Sequence, residues 1–199
     1  MNKWLCNWDF REGIDSALTS TLVAETGIPL LCIEMPINQN KKHVSRGKNH
    51  IAWLKKNYKN IRSLECNLTG IFEQFRSLSS EKNNNKLLAL ANTRSRLRMT
   101  TLYYYAQLNN ALVVGTGNKV EDFGIGFYTK YGDGGVDLSP IADLMKSEVL
   151  ELAKSLDINQ EILDAPPADG LWDNNQTDED QIGATYAELE WAMTNNNKK

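Results

Sequence analysis

An α/β fold, with a parallel sheet covered by helices on both faces, is predicted for this chain by two features of its pattern. Short, continuously apolar runs recur along the sequence, and stretches with apolar residues at three-and-four spacing separate them. Continuous apolar runs mark strands buried on both faces, and a helix between two such strands is the crossover that parallel pairing needs. With 199 residues, 41% apolar and 24% charged, the chain can bury one sizeable core, so residues 1–199 read as a single domain. Only 13 Gly and 5 Pro exclude a collagen-like or low-complexity chain.

The elements follow in order. Ile14 to Glu25 places Leu18, Leu22 and Val23 at helical spacing, and Gly27 with Pro29 ends it. Pro29 to Met35 is a buried strand. Val44 to Tyr58 is a helix with Ile51, Trp53, Leu54 and Tyr58 inward. Ile61 to Leu68 reads as a strand, and Thr69 to Leu78 as a helix with Ile71, Phe72 and Phe75 inward. Residues 79–86 form a polar linker before a long helix through Asn109, and Ala111 to Thr116 is the next buried strand. Asp143 to Leu156 is a helix carrying Leu144, Met145, Val149, Leu152, Ala153 and Leu156. Pro166-Pro167 sits in a polar loop over 165–180, and Thr177-Asp-Glu-Asp180 resembles a capping box opening one last helix to about Met193. Residues 194–199 form a frayed tail, and residues 1–12 are atypical of the rest.

Charge and targeting signals narrow the function classes. A formal net charge of -3 gives no basic excess for a phosphate backbone, so nucleic-acid binding is disfavoured. No stretch approaches the ~20 apolar residues of a membrane span, and the N-terminus lacks a signal-peptide core. Cys6, Cys32 and Cys66 are odd in number and show no CxxC pattern. The reading is a cytoplasmic, reduced protein.

In parallel sheets ligands bind beyond the carboxyl ends of strands, so the segments that follow strands come first. Gly13-Ile-Asp-Ser-Ala17 opens a helix with an acid and a hydroxyl, a pattern that can hold phosphate and a metal, or merely cap the helix. Val113-Val-Gly-Thr-Gly-Asn-Lys-Val-Glu-Asp122 runs a strand into a glycine-rich turn that could hold a nucleotide and a cation, or be an ordinary turn. Gly124 to Asp137 is too rich in glycine for a helix or strand, and carries Lys130, Asp133 and Asp137 as a binding loop or a structural one. Thr93-Arg-Ser-Arg-Leu-Arg-Met99 could clamp phosphate or form a solvated face. His43 and His50 have no partnering acid and hydroxyl, and read as surface or satisfied histidines.

Arg94-Ser-Arg-Leu-Arg-Met, Gly115-Thr-Gly-Asn-Lys-Val-Glu, Phe127-Tyr-Thr-Lys-Tyr-Gly-Asp-Gly-Gly-Val-Asp and Ala165-Pro-Pro-Ala-Asp-Gly-Leu-Trp stand in this order in one chain. Together they resemble the ammonia-dependent NAD synthetase family, from about Gly13 to Met193. The resemblance implies an adenine nucleotide alpha-hydrolase-like fold with a pyrophosphatase-type ATP loop, and a homodimer. It implies conversion of deamido-NAD and ammonia to NAD with ATP and magnesium, releasing AMP and pyrophosphate. Carried over by position, Asp15 and Glu121 would hold magnesium. Gly13, Asp15, Ser16, Gln39, Thr116 and Lys146 would bind ATP. Arg96, Lys130 and Asp137 would contact deamido-NAD, and Asp133 would orient or deprotonate ammonia.

Three departures stand out. The loop reads Arg11-Glu12-Gly13 where the family has Ser-Gly-Gly, and Pro167 replaces a threonine. The family also has more chain at both ends. Lys3 to Gly13 can be back-translated so that a reading frame one base later gives Asn-Gly-Cys-Val-Ile-Gly-Ile-Ser-Gly, a strand and the absent loop. That points to a shifted frame at the N-terminus. Alternative readings are a catalytically impaired, truncated member that keeps the fold, and another pyrophosphatase-loop enzyme. The latter is disfavoured by the segment Phe127 to Asp137. A glutamine-using amidase domain has no room in 199 residues.

Overall fold

Four strands form one parallel sheet in the order β3-β2-β1-β4, made of β1 (Lys3–Trp8), β2 (Leu30–Glu34), β3 (Ile61–Glu65) and β4 (Ala111–Val114). The structure is a computed structural model and describes residues 3–8, 13–39, 41–167, 171 and 177–195. Helices α1 (Ile14–Glu25) and α2 (Lys41–Asn57) are the crossovers from β1 to β2 and from β2 to β3. Helices α3 (Thr69–Ser77) and α4 (Asn84–Asn109) return the chain to the opposite edge at β4. This is the expected doubly covered sheet. Strand alternation divides the core in two. Leu30, Cys32 and Val114 pack with Ala17, Leu18, Ile51 and Leu54 on one face, and Ile33 and Val113 pack with Phe72, Leu102 and Ala106 on the other.

The stretch Lys3–Trp8 reads poorly as a buried strand, yet its backbone pairs on both sides, with Cys6 opposite both Cys32 and Val114. A parallel ladder is made by main-chain groups, which are indifferent to side-chain type. Arg11 and Glu12, and the frame-shift reading that turns on them, lie outside the described residues.

Helix α1 is buried along almost its whole length despite its hydroxyls. Ser20 and Thr21 satisfy theirs by donating back to the carbonyls of Ser16 (2.8 Å) and Ala17 (2.7 Å). Elsewhere local chemistry moves several boundaries. The linker is shorter than expected, because Asn83 accepts from the Lys86 N–H (2.9 Å) and starts α4 at Asn84. Helix α5 (Lys146–Ser155) begins after Asp143, because a turn through Ile141 and Leu144 precedes it and Glu148 caps the Met145 N–H (2.7 Å). The single last helix is two, α7 (Asp178–Ile182) and α8 (Tyr186–Asn195), with a short α6 (Gln160–Leu163) before them. Gly183, at φ +77, ends α7 in the left-handed region, and Thr185 with Glu188 forms a second capping box that starts α8. In α3 only Phe72 is buried, whereas Ile71 and Phe75 are about half exposed. The helix turns Phe72 under the Arg94 guanidinium, 4.3 Å from the ring centroid.

His50 is fully buried on α2, with Nε2 3.1 Å from Ser20 Oγ and its ring stacked on Trp53. Burial pushes its pKa down to about 3. The unfolded chain therefore binds a proton below pH ~6.5 that the folded chain refuses until about pH 3. Stability should be fully present above pH ~6.5 and fall by up to about 1.4 kcal/mol per pH unit on acidification. Urea unfolding at pH 7.5 and 5 should show this loss in the parent chain and a smaller one in His50→Gln; equal losses would refute it.

Candidate functional site

The site is assembled where β1 and β4 end, from three segments far apart in sequence. Asp15 lies in the first turn of α1. The helix is capped by Gly13 with no side-chain cap bond, so Asp15 and Ser16 do not cap it. The Asp15 carboxylate points across the sheet end instead. Its Oδ1 accepts from Asn118 Nδ2 (3.0 Å) and its Oδ2 from Lys146 Nζ (2.6 Å). Ser16 Oγ is buried beside it with no hydrogen-bond partner among the described residues, at the helix terminus where backbone N–H groups and the dipole favour anions.

Beyond β4 the chain passes through Gly115, Thr116 and Gly117 into a π-helical turn over Lys119–Ile125. Both glycines lie close against neighbouring side chains. A Cβ on Gly115 would stand 2.6 Å from Val136 Cγ2, and one on Gly117 1.8 Å from Asp122 Oδ2. Asn118 caps the turn, its Oδ1 accepting from the N–H groups of Val120 and Glu121, both at 3.0 Å. One buried amide thus shapes the turn that presents Glu121 and, through its Nδ2, fixes Asp15.

Glu121 Oε1 accepts from Lys146 Nζ (2.8 Å) and from the Tyr186 hydroxyl (2.6 Å). Lys146 is the first residue of α5, almost wholly buried rather than an exposed helix residue, and its ammonium bridges the two carboxylates. The electrostatics follow. Burial raises the pKa of Asp15, with Glu121 adding and Lys146 opposing. Burial alone would lower that of Lys146, but Asp15 and Glu121 outweigh it and raise it, so the amine stays charged. Burial, then Glu121 and Asp178, raises that of Tyr186, which remains a neutral donor. Two buried carboxylates against one ammonium leave an excess of negative charge and hard oxygen donors, a donor set that suits a divalent cation.

The remaining expected residues form a second group. Arg96 is exposed on α4 and donates from Nε to the Lys130 carbonyl (3.1 Å), while Lys130 Nζ lies 5.1 Å from the Tyr131 ring centroid. Asp133 accepts from Ser95 Oγ (2.7 Å) and the Thr129 N–H (3.0 Å). Asp137 accepts from the Val113 N–H (2.7 Å) and the Tyr103 hydroxyl (3.1 Å), pinning the loop to β4. Thr116 is buried between β4 and Asn118. Gln39 is turned to its own loop, accepting from the Ile37 N–H. Asn118, Tyr186 and Ser95 were not singled out by sequence. Asn118 had a signal, an Asx just ahead of a turn with two N–H groups in reach. Tyr186 had none beyond helical spacing. A separate cleft of about 770 Å³, lined by Phe72, Arg76, Lys86, Leu90, Arg94 and Leu171 among others, contains none of the Asp15–Lys146–Glu121 trio.

Comparison with known proteins decides the family, since the model for NAD synthase matches residues 10–199. The chain belongs to the NAD synthase family. The NH(3)-dependent NAD(+) synthetase of Carboxydothermus hydrogenoformans is 39% identical over 188 residues, covering 89% of this chain and 72% of that protein. The NMN synthetase from Francisella tularensis superposes with a TM-score of 0.83 at 36% identity, over 93% of this chain and 74% of that one. The NH3-dependent NAD synthetase from Campylobacter jejuni gives a TM-score of 0.75 at 28% identity, over 100% and 76%. The NAD synthase family catalyses the last step of NAD biosynthesis, and its adenine nucleotide alpha-hydrolase-like fold is the one expected from sequence.

The bridging geometry has an asymmetric consequence. Removing one acid leaves a neutral buried pair, whereas removing the lysine leaves two uncompensated buried carboxylates. Urea denaturation should place Asp15→Asn within about 1 kcal/mol of the parent chain and Lys146→Met about 3–5 kcal/mol below it. The reverse order would show that Lys146 does not carry the bridge.

Proposed function

We propose that this chain converts deamido-NAD and ammonia to NAD at the expense of ATP. The observation that carries the proposal is the convergence of Asp15, Glu121 and Lys146 at the strand ends, beside the α1 terminus and its buried Ser16 hydroxyl. A carboxylate is a poor acyl donor. The nicotinate carboxylate therefore attacks the α-phosphorus of ATP, pyrophosphate leaves, and a carboxyl adenylate forms. Ammonia then attacks the acyl carbon, AMP departs, and the extra proton on nitrogen is lost to a base.

The helix terminus with Gly13 and Ser16, together with Thr116, Gln39 and the Lys146 ammonium, would receive ATP, and charge that develops on its phosphates would be offset there. Asp15 and Glu121 would hold magnesium, which when bound neutralises phosphate charge and orients the leaving pyrophosphate. Arg96, Lys130 and Asp137 would contact deamido-NAD, and Asp133, held by Ser95 and Thr129, would orient ammonia or take its proton. We place the reaction in the cytoplasm and the active form as a homodimer. No helix among the described residues is long and apolar enough to cross a membrane.

The similarity to the Francisella tularensis NMN synthetase favours a second reading, amidation of the mononucleotide by the same chemistry. One assay separates the readings. Purified chain, ATP, magnesium and ammonium are incubated with deamido-NAD or with nicotinate mononucleotide, and each amide product is quantified. NAD formation is expected. Product from the mononucleotide alone selects the second reading, and no product from either acceptor marks an impaired member. Asp15→Asn should fold, yet lose about a hundredfold or more of the rate together with magnesium-dependent ATP binding by calorimetry. Unchanged binding would remove Asp15 from the site.

A further inference from the structure

Helix α8 touches both segments that carry Glu121 and Lys146, and it does so with one face. Tyr186, Glu190 and Met193 lie at i, i+4 and i+7, on a single stripe. Tyr186 donates its hydroxyl to Glu121 Oε1 at 2.6 Å, and the Lys146 ammonium sits 4.9 Å from its ring centroid. Glu190 accepts from the N–H of Ser147 (2.8 Å) and from its hydroxyl (2.7 Å), one residue beyond Lys146 at the start of α5. Met193 packs on the π-helical turn so closely that a Cβ on Gly124 would stand 2.7 Å from its Sδ. The start of α8 is itself fixed, since the Tyr186 N–H donates to Glu179 of α7 (2.9 Å).

We infer that Tyr186 is a positioning residue for Glu121 and Lys146, and that α8 is the clamp holding their two segments in register. Neither residue is held by its own element alone. Glu121 rides on a π-helical turn, and Lys146 is the first residue of its helix, where the backbone N–H groups have no partner within the helix. The Tyr186 hydroxyl fixes which Glu121 oxygen faces Lys146, and its ring supplies a face against which the ammonium rests. Glu190 holds the α5 terminus from the other side. The role of these contacts in cation and ATP binding rests on the reading of Asp15 and Glu121 given above, but the clamp itself does not.

Hydrogen exchange read by mass spectrometry tests the clamp without any ligand. In Tyr186→Phe, amides over 119–125 and 146–148 should exchange about tenfold faster than in the parent chain, with β2 and β3 unchanged. Equal exchange in the two proteins would overturn the inference. If Tyr186→Phe fails to fold, Glu190→Gln should show the same pattern confined to 146–148, and its absence there overturns the clamp equally. Kinetics supply the second readout. The magnesium concentration for half-maximal rate should rise about tenfold with kcat little changed. A fall in kcat at unchanged magnesium dependence would reduce Tyr186 to a structural residue. A parent chain that makes no product counts against the proposed function, and leaves the exchange experiment to judge the clamp.

Discussion

The Lys146 ammonium, 2.6 Å from Asp15 and 2.8 Å from Glu121, allows carboxylates more than a hundred residues apart in sequence to be buried side by side. Without it each carboxylate would oppose the other in a region that water barely reaches, and one of them would have to take up a proton. The neighbouring architecture serves this contact. Asn118 binds Asp15 and shapes the turn that presents Glu121, the Lys119 N–H ties that turn to the Leu144 carbonyl (2.9 Å) just ahead of α5, and Tyr186 closes the far side. A buried charge cluster of this kind contributes little net stability. On the proposed function it is a device for receiving the charges of ATP and magnesium.

The sheet order explains where the device stands. Chain connectivity runs outward from β1 through β2 to β3, then reverses to place β4 on the other side of β1. The crevice between the ends of β1 and β4 is the point where such sheets open to ligands. The same reversal lays α4 along the sheet, and from it Ser95 holds Asp133 while Tyr103 holds Asp137. The glycine-rich segment from 124 to 137 is therefore no free loop. It is fastened to α4 and β4 at several points, which gives the residues beside it a fixed relation to the carboxylate pair.

Much of the fold was legible because burial on both faces leaves a strong mark. β2 is apolar up to Glu34 and β4 is an unbroken apolar run, and the helices between strands carry regular spacing. What escaped were features decided by tertiary contact. Phe75 and Phe72 look equivalent in sequence, and packing with Leu68, Leu102 and Ala106 in the core takes Phe72 inward. The break at Gly183 is written in the sequence as a glycine followed by Thr185 and Glu188, although the Thr177 capping box leads to the expectation of a single helix across it. In the site, the acids and the lysine were legible through the family pattern, which assigns Asp15, Glu121 and Lys146 by position. Tyr186 was not, because a tyrosine at helical spacing reads as packing until the structure shows what its hydroxyl meets. Asp133 and Asp137 show the converse limit: residue type marked both as binding candidates, and their hydrogen bonds show how each is also needed to shape its loop.

On the proposed function, nucleotide and cation meet at the bridged carboxylates. A crystal structure of the chain soaked with magnesium and a non-hydrolysable ATP analogue tests it most directly. Phosphate density is expected at the α1 terminus beside Ser16, with a cation against Asp15 and Glu121. Nucleotide density in the cleft between Phe72 and Arg94 instead, with Lys146 still bridging an unaltered pair of carboxylates, would contradict it.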